Sequence, residues 1–309
     1  MKSLPRLDGL KKHPETNSHA VRTLAALMPV ILLQQVIGAL GFPITKYGVT
    51  EIEPFTFAFF RFVIASLLMF AIVLVRKEET SIERKDWPKI IGLGILMVLL
   101  NQLGYLWGQS MTGAGHGSIL YATTPIWVFL FAHFHLGEKM FWRRGLGIGI
   151  AVAGVLVIMS GGVLHIGMEY LVGDIIIFIA VLAWAYYTIL GKPLAQKYGA
   201  LRMTAYALIS GSLLYFPFGV YRAVEFDYSS VTTMGWLAVL YMAIAMSIIA
   251  YVAWYWVLKQ MDASRLAVFS NIQPVIATIA AYFMIGETVG LSFLIGAGVV
   301  LAGVITAEV

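Results

Sequence analysis

The chain contains no cysteine, so disulfides and thiolate metal sites are excluded. Charge is scarce as well. Only 12% of the 309 residues are charged, while 60% are hydrophobic. A soluble domain carries about 25% charged residues. No core of this size hides so much apolar side chain from water, so the bulk of the chain belongs in lipid. The net charge of +5 is too small and too scattered for nucleic-acid binding. There is no Gly-Lys-Ser/Thr phosphate loop and no His/Asp/Glu cluster with metal spacing at membrane depth. An enzyme, a metal site and a cofactor are therefore not expected. Acids are missing from mid-depth too. All 16 fall in tails, loops or span ends, and Asp174 reads as an N-cap. A proton-coupled exporter of cations would carry a buried carboxylate. Coupling through one is not expected, and facilitated diffusion is favoured.

What the chain has is apolar runs long enough to cross a bilayer. Ten occur, near 24–47, 54–75, 90–111, 117–135, 145–160, 173–191, 201–220, 234–257, 265–285 and 290–306. Alternating the loops between two sides puts 18 of the 21 Lys and Arg residues on one side. Lys46 and Arg222 fall on the other, and Arg61 lies inside the second span. The excess of cations on the inner side of a membrane then places both termini in the cytoplasm. The first residues are polar, carry Lys2, Arg6, Lys11 and Lys12, and lack the apolar stretch of a signal peptide. Residues 1–23 read as a cytoplasmic tail.

The chain also repeats itself at an offset of 149 residues. Pro125 matches Pro274, Gly137-Glu138 matches Gly286-Glu287, and Gly147 and Gly149 match Gly296 and Gly298. Ala153-Gly154-Val155 matches Ala302-Gly303-Val304. If five spans make one copy, the second copy sits upside down in the bilayer. The expected fold is all-α and integral to the membrane, with ten transmembrane helices in two inverted five-helix repeats at 24–160 and 173–306. Inverted repeats of this kind build secondary transporters with a midplane site.

These residues carry a family resemblance. "GSILYATTPIWVFLFAHFHLGEKMFWRRGLGIGIAVAGVLVI" and "SRLAVFSNIQPVIATIAAYFMIGETVGLSFLIGAGVVLAGVI" resemble the end of an EamA-type repeat of the drug/metabolite transporter superfamily. "GDIIIFIAVLAWAYYTILGKPL" resembles the start of its second repeat, and "PFTFAFFRFVIASLLMF" its second helix, with Arg61 at the usual Arg. The resemblance implies ten helices and export of amino acids or other small metabolites, with helices 1, 3, 4 and 9 lining the path.

Several residues are candidates for the work. Pro125 and Pro274 break the helical ladder near mid-span and free the carbonyls of Tyr121 and Ser270. This is either a packing kink or a source of carbonyls that face a cavity. Gln34, Gln35, Asn101, Gln102, Thr123, Thr124, Asn271 and Gln273 are polar at mid-depth, where an unpartnered amide is costly. They bond between helices or line a cavity. Gln34 and Gln35 point about 100° apart, so both are not expected to line it. Trp184 and Tyr187 share a face of helix 6, as Tyr251, Trp254 and Tyr255 do on helix 8. Trp107 and Trp256 suit the interfacial belt, whereas Trp184 is central enough to stack on substrate. Arg61 is about 10 Å past Pro54 along the helix. It either snorkels to the interface or holds a carboxylate or a gate. The glycines at 145, 147, 149, 296 and 298 are expected to let helices approach closely.

The expected substrate-binding set is Gln34, Asn101, Tyr121, Thr124, Trp184, Tyr187, Tyr251, Asn271 and Gln273. The expected function is export of a small amphipathic metabolite, an amino acid and possibly an aromatic one, by alternating access. Alternatives are a quaternary-ammonium carrier with an aromatic cage and a non-transporting membrane scaffold. Partners are a small-molecule substrate and the lipid bilayer of a bacterial or archaeal cytoplasmic membrane; the oligomeric state is open and a monomer suffices.

Overall fold

The computed structural model describes residues 14–76, 81–111, 117, 120–160, 170–285 and 291–308. Their regular structure is helical, with no strand among the described residues. The cause is the solvent. In lipid every backbone N–H and C=O must find a partner within its own segment, and a helix does this. The helices are α1 (Pro14–Glu51), α2 (Pro54–Arg76), α3 (Arg84–Ser110), α4 (Leu120–Leu136) and α5 (Trp142–Ser160). They continue as α6 (Leu171–Tyr198), α7 (Ala200–Glu225), α8 (Thr233–Leu258), α9 (263–285) and α10 (Leu291–Glu308). Six of them, α1–α3 and α6–α8, are long and apolar enough to cross a membrane, and α4 and α10 hold shorter apolar stretches. The polar tail at 1–13 and the Gly286-Glu287-Thr288 turn lie outside the described residues. Asp174 stands in the first turn of α6, which begins three residues earlier, so it is not the N-cap expected for it.

The main contacts have an exchange symmetry. α1 packs on α8 as α6 packs on α3, and α1 packs on α9 as α6 packs on α4. α2 packs on α7, α4 on α9 and α5 on α10. Swapping α1–α5 with α6–α10 returns the same set. The α5–α10 pair shows the direction of the swap. A Cβ on Gly147 would meet Gly303 O at 2.6 Å, and one on Gly154 would meet Gly296 O at 2.8 Å. As one helix ascends from 147 to 154, its partner descends from 303 to 296, so the two run antiparallel. These four glycines permit backbone contact that no side chain allows. Gly149 and Gly298, expected to do the same, meet open space, and Gly145 makes only ordinary contact with Phe129.

The irregularities of the ladder repeat too. In α3 the segment Ile95–Leu103 is a π-helix, and in α8 the segment Met242–Ala250 is another, each nine residues long. Wide turns of this kind concentrate at functional sites. The prolines break helices in a way the mid-span kink did not foresee. Thr123 interrupts α4, and Pro125 is the second residue of the fresh helix Thr124–Leu136. A 3-10 turn, Phe269–Ile272, interrupts α9, and Pro274 is the second residue of Gln273–Ile285. Proline fits a first turn because its missing N–H has no partner there in any case. Each break falls just ahead of the proline.

Candidate functional site

The two π segments and the two broken helices meet around a cavity of about 240 Å³. α1 contributes Gln34, Gly38, Gly41, Phe42 and Thr45 to its wall. Arg61 comes from α2, Asn101, Gln102 and Tyr105 from α3, and Tyr121, Ala122 and Thr124 from α4. Trp184 comes from α6, Met242, Met246, Tyr251 and Trp254 from α8, and Ser270, Gln273, Pro274 and Ala277 from α9. Seven of the nine expected substrate contacts thus share one cavity: Gln34, Asn101, Tyr121, Thr124, Trp184, Tyr251 and Gln273. Gly38 lets α1 close on α9, since a Cβ there would meet Gln273 Nε2 at 2.6 Å.

Two expected contacts do not line the cavity. Tyr187 is fully buried behind Trp184, with its ring edge-on to Tyr255 at 5.1 Å. Asn271 is also fully buried. The 3-10 turn explains it. At three residues per turn, 270 and 273 eclipse one another and 271 points about 120° away. Pro125 lies behind the wall, whereas Pro274 is part of it. Sequence reasoning gave no cavity role to Phe42, Met242 or Met246, because apolar residues on an apolar helix carry no mark, nor to Thr45, which lies near the end of its span.

The polar groups of the wall are largely wired together. Asn101 Nδ2 donates to Tyr121 Oη at 2.7 Å and to Ala180 O at 2.8 Å. The Gln102 amide donates to Asn101 Oδ1. Gln273 Nε2 donates to Gln35 Oε1 at 2.8 Å, and Gln35 Nε2 to Gln34 Oε1 at 2.6 Å. Gln35 therefore holds the wall from behind, while Gln34 faces the cavity.

Arg61 does not snorkel. It is 1% exposed, and its Nε donates to Ser247 Oγ at 2.9 Å. Ser247 in turn donates to Met242 O within the π segment, at 2.9 Å. The guanidinium also lies 5.2 Å from the Phe62 ring centroid. Packing wins over outward reach here because α8 supplies this partner at depth. Arg61 Nη2 has no partner, nor do Thr124 Oγ1, Tyr251 Oη and Trp254 Nε1. The Arg61 guanidinium and the Tyr251 hydroxyl face one another across this wall, and Thr124 Oγ1 and Trp254 Nε1 are left without a protein partner.

Aromatic rings close the cavity on one side. Trp184 lies 5.4 Å from Tyr187, 5.4 Å from Tyr251 and 5.8 Å from Trp254, ring to ring. Tyr187, Tyr251, Trp254 and Tyr255 are all buried, and the Tyr255 hydroxyl donates to Tyr187 O. From this floor the cavity runs toward the end of the bundle where α1 reaches Glu51. Trp107 and Trp256 are 45% and 43% exposed and stand away from it.

Beyond the floor lies a charged clasp. Gly137 ends α4 with φ 68°, a conformation that suits glycine, and so places Glu138. Glu138 accepts from Ala263 N at 2.7 Å, Ser264 N at 3.2 Å, Ser264 Oγ at 2.7 Å and Lys192 Nζ at 3.1 Å. Arg144 reaches the same turn, 3.2 Å from Asp262 Oδ2 and 2.6 Å from Ser264 Oγ. Burial pushes the Glu138 carboxyl up, but the Ser264 and Ala263 hydrogen bonds and the Lys192 charge outweigh it, leaving it below its ordinary value of 4.5. His133 Nδ1 meets Glu138 O at 3.0 Å.

Comparison with known proteins agrees with this build. The chain matches the EamA-like transporter family twice, over residues 24–160 and 171–307. An Archaeoglobus fulgidus protein named an uncharacterized transporter is 30% identical over 280 residues, covering 89% of this chain and 94% of its own length. Bacillus subtilis YoaV, also an uncharacterized transporter, is 27% identical over 267 residues, covering 84% and 88%. A Streptantibioticus cattleyicolor protein named "Probable terminal-alkyne amino-acid exporter" is 25% identical over 280 residues, covering 89% and 90%. One crystal structure, 19% identical, shares the fold at a TM-score of 0.75 over 92% of this chain and 97% of that one. A chain of apolar helices with two such matches is a multi-pass integral membrane protein, and it belongs to the EamA-like transporter family.

Proposed function

We propose that the protein exports a small amphipathic metabolite that carries a carboxylate, an amino acid and in particular an aromatic one. Arg61 carries this reading: it is buried in the cavity wall with Nη2 unpartnered. No Asp or Glu lines the cavity among the described residues, so a ligand carboxylate is the natural partner for that charge. Trp184, Tyr251 and Trp254 offer an apolar, aromatic surface to the rest of the ligand. The name of the Streptantibioticus cattleyicolor relative fits an amino-acid cargo.

The exchange symmetry and the antiparallel α5–α10 contact support ten spans in two inverted halves, at 24–160 and 173–306. The excess of Lys and Arg at the clasp end supports cytoplasmic termini, with residues 1–23 as a cytoplasmic tail. The cavity then reaches toward the outside and the clasp shuts the inside. Alternating access follows from rocking one half against the other. A quaternary-ammonium cargo is disfavoured, because the rings pack on one another and the nearest fixed charge is a cation. A scaffold has no use for a cavity lined by free polar atoms.

The test is flux of labelled phenylalanine, alanine and choline in proteoliposomes, with and without a pH gradient. Phenylalanine flux that exceeds alanine flux and ignores the gradient is expected. Choline flux above both amino acids would sink the assignment.

A further inference from the structure

Asn271 is fully buried, and neither its Nδ2 nor its Oδ1 has a hydrogen-bond partner. A buried amide without partners is costly and calls for an explanation. It misses the cavity although Ser270 and Gln273 beside it line the wall. The first repeat differs at the same register. Tyr121, Ala122 and Thr124 stand 149 residues before Ser270, Asn271 and Gln273, and all three line the cavity. There the chain is α-helical through Ala122 and turns at Thr123, whereas the second copy winds as a 3-10 turn.

We propose that Asn271 contacts substrate in the opposite-facing state of the carrier, and only there. The inference rests on the inverted-repeat reading above. In such a carrier the two halves exchange conformations between the two states. The second half then takes the backbone that the first half has here. Phe269–Ile272 unwinds from its tight turn, and Asn271 rotates into the cavity at the position that the exchange symmetry relates to that of Ala122. Its amide both donates and accepts, so it meets a polar group of the cargo. The unpaired state seen here is the cost of holding that group in reserve.

The absence of native cysteine makes the test clean. Single variants Asn271→Cys, Ser270→Cys and Ala277→Cys are labelled with a membrane-impermeant maleimide in right-side-out and inverted vesicles, without substrate. Ala277 lies farther along α9, toward the Glu51 end of the cavity wall, and reports that face. Ser270→Cys should label from both faces. Asn271→Cys should label at least about tenfold faster from the face opposite to that of Ala277→Cys, a bias of about 1.4 kcal/mol. Equal rates from both faces, a preference for the Ala277 face, or no labelling while Ser270→Cys labels from both would overturn the proposal. If Ser270→Cys labels from one face only, alternating access itself fails and the proposal falls with it. Asn271→Ala provides a second reading in proteoliposomes with phenylalanine as probe. Turnover should fall by roughly fivefold while KM at the cavity-open face stays within about twofold, as for a group used in one state only. A raised KM at that face with unchanged turnover would count against it.

Discussion

At the end of the bundle where α4 meets α5, Glu138, Lys192, Arg144 and Asp262 join α4, α5, α6 and α9. At the same end, Asp86 Oδ2 pairs with Lys197 at 2.7 Å and accepts from Tyr198 Oη at 2.6 Å, tying α3 to α6. At the other end the ties among the described residues are fewer and lie to one side. Glu51 accepts from Thr232 N at 2.9 Å, joining α1 to α8. Glu53 pairs with Arg222 at 2.8 Å, joining the α1–α2 turn to α7. Among the described residues the first end binds α4, α6 and α9 together, and these are helices whose residues wall the cavity. The cavity wall extends away from the clasped end. The clasp and the packed rings lie one behind the other on this side of the cavity.

The comparison can be broken most forcefully at Glu138. Glu138→Ala takes the ionic partner from the partly buried Lys192, which keeps only its bond to Met261 O, at a cost of about 1.5–3 kcal/mol. Amide exchange at Ala263 and Ser264 should speed up by more than roughly tenfold. Unchanged exchange there would mean that the clasp does not hold α9. The next effect belongs to Arg61. Arg61→Gln removes a charge-assisted contact worth about 1.5–3 kcal/mol, so KM for an amino-acid substrate should rise by roughly 10- to 140-fold. An equal KM for the variant and the native protein would remove Arg61 from the site.

A smaller effect sharpens the role of the floor. Trp184→Ala should raise the substrate Kd by roughly 2- to 13-fold, the share of ring stacking beyond area burial. Trp107→Ala, at the exposed face of α3, should leave it unchanged. Equal transport by the two variants at matched membrane levels would count against a central aromatic surface. The mildest test is acidity. The Glu138 carboxyl is depressed in the folded protein, so the stability it lends is complete above its ordinary value of 4.5. That stability is lost as pH falls through the lower folded value. Exchange at Ala263 and Ser264 should be insensitive to this group from pH 8 to about 6 and should rise relative to Glu138→Gln only in stronger acid. A rise near neutrality would mean that Glu138 is not held as a carboxylate.

Much of this architecture was legible in the sequence because lipid makes harsh demands. Apolar runs mark helices, and the 149-residue repeat ties α4–α5 to α9–α10. The depth of Gln34, Asn101, Tyr121, Thr124, Trp184, Tyr251 and Gln273 was enough to bring them to one cavity. What stayed hidden depends on local winding. The π segments at Ile95–Leu103 and Met242–Ala250 have no sequence mark, since the residues there suit an α-helix equally. The 3-10 turn at Phe269–Ile272, which brings Ser270 and Gln273 into line and leaves Asn271 off the wall, has no sequence mark either. Arg61 was judged by its distance from the span end, but Ser247, far away in sequence, decides its place.

The glycine contact between α5 and α10 has a consequence for ancestry and assembly. Gly147 of the first copy corresponds to Gly296 of the second, and Gly154 to Gly303. Gly147 touches Gly303, and Gly154 touches Gly296. Each copy thus carries both complementary positions of one seam, and the seam is satisfied by any two copies that enter the membrane in opposite senses. A half-length chain with this helix already holds the instructions for pairing with its own kind.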